Sequence, residues 1–591
     1  MPVCPINPAS EQVADFIYHA GSSTLPAVNL EQDSLCYDTV SREYAVLYLP
    51  LDTVTPISLS KYDYSSIPKL YTLLDTSSME ASGILPVFQQ PALGGQGRGV
   101  LIGMIDTGID YQNPLFLQPD GTTRILGIWD QNIPEGPDEI PPGVRSRIPY
   151  YMDIQYGTAY TADQINEALR SDDPLQIVPS TDTDGHGTFM AGIAAGGATA
   201  SGDFTGAAPQ ASLGVVKLKP AKRYLRDFYL IQEDADAYQE NDIMMGIKYL
   251  YLLSSWYNMP LVLCIPMGTN WGSHEGASPL GYTLQSYSQF AHFISVVAGG
   301  NEAGLGHHYL GIISSGRTSE DVEIRVAPGE RGFVAEFWAD VSDLYTVGFI
   351  SPSGENISRI PLSLGRDSRI SFLLEPTVIT VNYVLIEGGS GRQLIFFRFQ
   401  DPTPGIWRIR VYNTLFLVGR YHIWLPVESF ISPDTVFLKP DPDTTITNPG
   451  NSPFPMTISA YDHRDGSIYL HSSRGYTING QIKPDLAAPG VNVYGPALPP
   501  LSWRAAGEGP DSAPPMTRRT GSSVSAAHVA GAAANLLAWG LLQGNDLTIS
   551  NASVRGYLIR GADRNPAYQY PNREFGYGTL DLYQSFLQLR E

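Results

Sequence analysis

Along the chain, uninterrupted apolar runs alternate with stretches whose apolar positions recur every three to four residues. GVLIGMIDTGIDY reads as a buried strand that ends on Asp106 at a glycine turn. SLGVVKL, LVLCIPMG and HFISVVAGGNEAG are further strands of the same kind, and NDIMMGIKYLYLL among them carries a helical period. Such alternation predicts an α/β fold with a doubly wound parallel sheet. Sites in such sheets lie beyond the carboxyl ends of the strands, where Asp106 and Asn301 both fall. After Asn301 the period changes to two. DVEIRVA, GFVAEFW, YTVGFISPSGE, TVITVNYVLIEG, QLIFFRFQ, GIWRIRVYN and GRYHIWLP are separated by turn signals such as GGSG and DPTPG. These predict an inserted antiparallel sandwich or jelly roll, from which PDPDTTITNPGNSPFP leads back to the α/β pattern. Near the start, REYAVLYLPLD alternates as a half-buried strand does.

The pattern divides the chain into residues 1–80, 81–308, 309–443 and 444–591, consistent with a 591-residue length that exceeds one core. A net charge of -22 argues against nucleic acid or an anionic membrane as partner, since both would repel it. Three scattered cysteines, Cys4, Cys36 and Cys264, supply neither a disulfide framework nor a zinc cluster and point to a reducing compartment. The first residues, MPVCPINPASEQVADF, lack the basic start and apolar core of a signal peptide, and no run of eighteen apolar residues follows. A cytoplasmic location is the expectation.

Candidate chemistry is concentrated in few places. RTGSSVSAAHVAG continues into GAAANLLAW and reads as a small-residue helix packed in a core, with a nucleophilic serine as the competing reading. That second reading needs a base and an orienting carboxylate. His186 in TDTDGHGTFMAGIAAGG lies between two glycines at the head of another small-residue helix, and Asp106 closes a strand. The glycine-rich GGQGRG precedes its strand instead of following it, which removes a dinucleotide loop from consideration.

These motifs resemble those of the subtilisin-like serine proteases (subtilases, peptidase family S8). The family's aspartate motif appears as DTGID, its histidine motif as GHGTFMAG and its serine motif as GSSVSAAHVAG, in the family's order Asp, His, Ser. The resemblance implies Asp106, His186 and Ser523 as the triad and Asn301 of AGGNEAG as the oxyanion donor. It also implies Pro266, Met267, Gly268, Ala298, Gly299 and Gly300 as walls of the substrate cleft. Ser522 stands for the usual threonine and Ala527 for the usual proline. Leu115 stands where compact members carry a calcium-binding aspartate, and the loop ATASGDF has few oxygen ligands, so neither a metal nor another cofactor is expected.

The insertion and phrases such as TTRILGIWDQ and YQENDIMMGIKYL bring the chain closest to the Csp-type subtilases of clostridia and related bacteria. That resemblance implies an N-terminal α+β prodomain that is cut off by the enzyme itself and stays bound. It also implies protein or peptide substrates, and extends the expected location to the spore, where some members activate a cortex-lytic enzyme precursor during germination. Three alternatives stay open: a pseudoprotease or signalling scaffold, a permanent N-terminal subdomain, and an insertion that binds carbohydrate or protein through Trp338, Trp407 and Trp424.

Overall fold

A computed structural model describes residues 13–19, 36–39, 44–54, 77–90, 92–93, 95–133, 157–340, 342–363, 366–499 and 514–589. Residues Met1–Leu74 and Asp75–Glu591 form two compact units. In the first, Tyr44–Pro50 is the middle strand of a three-stranded antiparallel sheet, flanked by Val13–His19 and Cys36–Thr39. Tyr44–Pro50 of the alternating REYAVLYLPLD therefore supplies its centre. Of the following SSIPKLYTLLDTSSMEASGI, the part up to Thr76 lies outside the described residues, and Ser77–Ala81 is helical.

The second unit is built on an eight-stranded sheet. Its strands are β1 (Leu101–Asp106), β2 (Ile125–Asp130), β3 (Thr158–Thr161), β4 (Ser212–Lys217), β5 (Leu261–Ile265), β6 (Phe293–Ala298), β7 (Met456–Tyr461) and β8 (Leu486–Pro489). The spatial order is β8-β7-β6-β5-β1-β4-β2-β3, parallel throughout except for the antiparallel edge strand β3. A strand covered on both faces must be apolar at successive positions, which is why these segments read as continuous hydrophobic runs. In β1, Ile102 and Met104 join the core on one face while Leu101 and Ile105 join the core on the other. Helices α1 (His186–Ala195) and α3 (Ser522–Leu537) cover the first face, and α2 (Glu240–Trp256) covers the second through Ile243, Ile247, Leu250 and Leu253.

Small residues let α1 and α3 approach closely. A Cβ placed on Gly531 would stand 2.4 Å from the Ala207 Cβ and 2.6 Å from the Ala194 carbonyl oxygen. The helical run Ser522–Leu542 is apolar enough to cross a membrane by composition, yet its most apolar window is 89% buried in the protein. Its apolarity belongs to the core.

Between β6 and β7 the chain builds two antiparallel sheets around a core of their own. One contains His308–Ile312, Arg420–Trp424, Gly332–Ala339, Gln393–Gln400, Val378–Val384 and Ser368–Ser371. The other contains Asn356–Ile357, Leu344–Ile350, Gly405–Leu415, Ser319–Val326 and Val436–Phe437. Inward positions alternate with outward ones, as in Gln393–Gln400. Trp338, Trp407 and Trp424 are all buried, and their indole N–H groups donate to Glu336, Thr403 and Thr444 respectively. A buried indole is not a platform for a ligand.

The α1/α3 contact generates a test. Gly531→Ala forces a methyl group against backbone and should lower stability by about 1–3 kcal/mol with an unchanged urea m-value. An unaltered urea midpoint would mean that the two helices can separate freely.

Candidate active site

The candidate residues gather along the carboxyl edge of the sheet. Asp106 ends β1, is fully buried, and accepts a hydrogen bond from the Thr107 N–H at 2.6 Å. A buried carboxylate needs further donors. His186 provides one: its Nδ1 lies 2.8 Å and 2.9 Å from the two Asp106 oxygens. Position 186 is set by an acidic cap on the N-terminus of α1, where Asp182 accepts from the Gly185 N–H and from the Thr188 N–H and hydroxyl. Gly187 must be glycine, because a Cβ there would meet the Gly108 carbonyl oxygen at 2.1 Å. The Asp106 and His186 backbones thus lie close enough for a direct side-chain contact.

The electrostatic balance at His186 favours its protonated form. Burial disfavours the imidazolium, but the charge and hydrogen bond of Asp106 outweigh it, Asp184 adds to them and Arg519 opposes, so the pKa lies above the ordinary 6.5. The imidazole keeps a quarter of its surface exposed, enough to face a cleft.

Ser523 lies in the first turn of α3, which runs unbroken through Ala527. Its hydroxyl donates to the Pro266 carbonyl at 3.0 Å. The structure thus brings Asp106 to His186 but gives Ser523 a different partner. Asn301 follows β6 and is fixed at its oxygen end, where Oδ1 accepts the Ser522 N–H at 3.0 Å. The neighbouring Gly300 N–H donates to the Ser522 hydroxyl at 3.1 Å. Both bonds leave the Asn301 amide N–H₂ available beside the start of α3.

Pro266, Met267 and Gly268 follow β5, and Ala298, Gly299 and Gly300 end or follow β6. Between these two segments lies a residue that sequence reasoning missed, Thr447. Its N–H donates to the Gly299 carbonyl at 2.9 Å and its hydroxyl to the same oxygen at 3.2 Å. A Cβ on Gly268 would meet the Thr447 Oγ1 at 2.3 Å, and one on Gly300 would meet its Cγ2 at 2.5 Å. Thr447 therefore touches both segments and is itself buried. The turn-rich stretch TTITNPGN is its only signal in the sequence. Glu302 was missed as well: it is buried next to Asn301 and accepts from Asn270, His307 and Glu428. Cys264 is buried in β5, with its thiol pKa pushed up by burial.

Where calcium ligands would be needed, Leu115 is buried, and the Asp203 carboxylate is occupied by the Thr199 and Ser201 hydroxyls. Among the described residues no group of three or more His, Cys, Asp or Glu side chains is arranged to hold a metal ion.

Comparisons with known proteins bear on this arrangement. The model of the subtilase family (peptidase S8) matches residues 97–329 and 438–578, more than half of the chain. Among solved structures, the Clostridium perfringens CspB protease is 30% identical, with 87% of this chain and 97% of that chain covered and a TM-score of 0.74. A psychrophilic protease designated S41 follows at 15% identity, with 84% and 96% covered and a TM-score of 0.39. A cold-adapted subtilisin-like serine proteinase stands at 14% identity, with 82% and 90% covered and a TM-score of 0.35. No curated protein matches.

The Asp106–His186 contact can be measured by histidine NMR. His186 should titrate above 6.5, and Asp106→Asn should bring its pKa down. Because the folded-state pKa is raised, the stability from this pair is full below about pH 6.5 and is lost as pH rises through the folded value. A His186 titration at or below 6.5 in the unaltered protein would contradict the geometry.

Proposed function

The chain belongs to the subtilase family and is a serine endopeptidase, and on that premise we propose that Ser523 is its nucleophile, His186 its general base and Asp106 the carboxylate that orients the base. The observation that carries this assignment is the buried Asp106 carboxylate held 2.8 Å from the His186 Nδ1. That bond fixes the tautomer with hydrogen on Nδ1, so the Nε2 lone pair is free to accept a proton.

In the proposed reaction the Ser523 hydroxyl leaves the Pro266 carbonyl and turns to His186. The serine oxygen attacks the peptide carbonyl carbon while its proton passes to Nε2, giving a tetrahedral oxyanion and an imidazolium. The Asn301 amide and the Ser523 N–H receive the oxyanion, and a donor of the asparagine kind contributes on the order of 10²–10³ in rate. The imidazolium then protonates the leaving amine as the C–N bond breaks. Water, deprotonated by the same histidine, hydrolyses the acyl-enzyme and restores Ser523.

The substrate strand would lie against residues 266–268 and 298–300, with Thr447 as the floor of the pocket between them. The tight approach of Thr447 to Gly268 and Gly300 supports a small pocket that accepts a small, uncharged side chain before the scissile bond. The insertion is read as a jelly-roll domain on the strength of its two facing antiparallel sheets. The N-terminal unit is read as a prodomain, supported by its separate three-stranded antiparallel sheet. It is both the first substrate and a retained partner.

Ser523→Ala should fold normally, fail to hydrolyse casein, and not react with a fluorophosphonate. Wild-type protein should be cut once between Asp52 and Gln90, with the fragment co-purifying, while Ser523→Ala remains at 64.4 kDa by mass spectrometry. Cutting that persists in Ser523→Ala would remove the self-processing reading. Thr447→Gly should shift the preference before the scissile bond towards larger side chains by about tenfold in relative kcat/KM, as read from a peptide library. An unchanged profile would mean that Thr447 does not floor the pocket.

A further inference from the structure

Asn301 lies on a loop, and a loop donor contributes fully only when held to within a fraction of an ångström. One side of this loop is pinned by Ser522, as described. On the other side stands Glu302, whose buried carboxylate is acceptor-only when ionised and therefore needs several donors.

Its donors come from three separate stretches. The Glu302 Oε2 accepts from His307 Nδ1 at 2.7 Å and from Asn270 Nδ2 at 3.1 Å, and Oε1 accepts from the Glu428 N–H at 3.3 Å. The Asn270 amide also donates to the Leu425 carbonyl at 3.2 Å. The Glu302 N–H donates to the Ser473 hydroxyl at 3.0 Å, and the Ser473 N–H in turn donates to the Gly300 carbonyl at 3.0 Å. His307 directly precedes the first strand of the inserted sandwich, while Leu425 and Glu428 follow its Arg420–Trp424 strand. Asn270 lies two residues beyond Gly268 in the cleft wall. A single carboxylate next to Asn301 therefore ties together the oxyanion loop, the wall that follows β5, and both ends of the insertion.

We infer that Glu302 is a positioning residue for the oxyanion donor, and that the inserted sandwich supports catalysis by supplying the His307 and Glu428 groups that hold Glu302 in place. This rests on the reading of Asn301 as the oxyanion donor. Misplacing that amide by about 1 Å costs up to roughly 10²-fold in rate, whereas ground-state binding along the cleft walls is little affected. A purely architectural role would instead alter stability, or KM and kcat together.

The test uses the full-length protein and a fluorogenic peptide selected with the wild-type enzyme. Glu302→Gln keeps the size but offers one accepting oxygen in place of two, so it cannot satisfy both Glu428 and the His307–Asn270 side. We expect kcat to fall roughly 10- to 100-fold with KM within about twofold of wild type. Asn301→Ala should lose activity, and Glu302→Gln combined with it should cost nothing more, because Glu302 acts through Asn301. His307→Leu, which removes the donor, should lower kcat in the same way, and His307→Asn, which restores an N–H near the position of Nδ1, should recover most of it. This pair carries the test if Glu302→Gln does not fold. Additive losses in the double variant, or equal activity of His307→Leu and His307→Asn, would overturn the positioning role alone. Full activity in Asn301→Ala would overturn the oxyanion reading and the positioning role together.

Discussion

Everything in the catalytic layer depends on how closely α1 and α3 pack on one face of the sheet. Helices that pack through ordinary side chains keep their axes about 8–10 Å apart. Here Gly531 faces Ala207 and the Ala194 backbone with no room for a methyl group, so the N-termini of both helices are brought to one edge. His186 opens the first helix and Ser523 lies in the first turn of the second. The composition that makes RTGSSVSAAHVAG read as a packed core helix is also the condition under which its serine reaches the carboxyl edge of the sheet. The structural and the chemical readings of that stretch are compatible.

The sheet was legible because burial on both faces leaves a continuous apolar signature, and the ends of β1 and β6 were legible because a glycine follows within two residues. Asp106 and Asn301 are located on that basis, whereas reading Pro266 to Gly268 and Ala298 to Gly300 as cleft walls needs the family resemblance. The sandwich strands showed through their period of two, but His308–Ile312 and Ser368–Ser371 did not. The first is largely apolar and the second only four residues long, and neither gives alternation enough register to appear.

Thr447 and Glu302 were illegible for a different reason. Thr447 reaches Gly299 across 148 residues, and Glu302 meets Glu428 across 126. No local pattern encodes a contact of that span. A threonine in a turn-rich return segment and a glutamate after an asparagine look like solvated loop residues until distant parts of the chain fold over them. The Ser523 hydroxyl bond to Pro266 was equally hidden, because the motif fixes which serine is present and not which way its hydroxyl turns.

That last bond has a consequence for how the proposed nucleophile meets its substrate. A hydroxyl whose hydrogen already points at a carbonyl oxygen is a poor nucleophile, since its proton is not aimed at any base. An extended chain laid along the wall offers its own N–H to the Pro266 oxygen and competes for it. With Ser523 as the proposed nucleophile, the docking strand becomes the trigger that arms the serine.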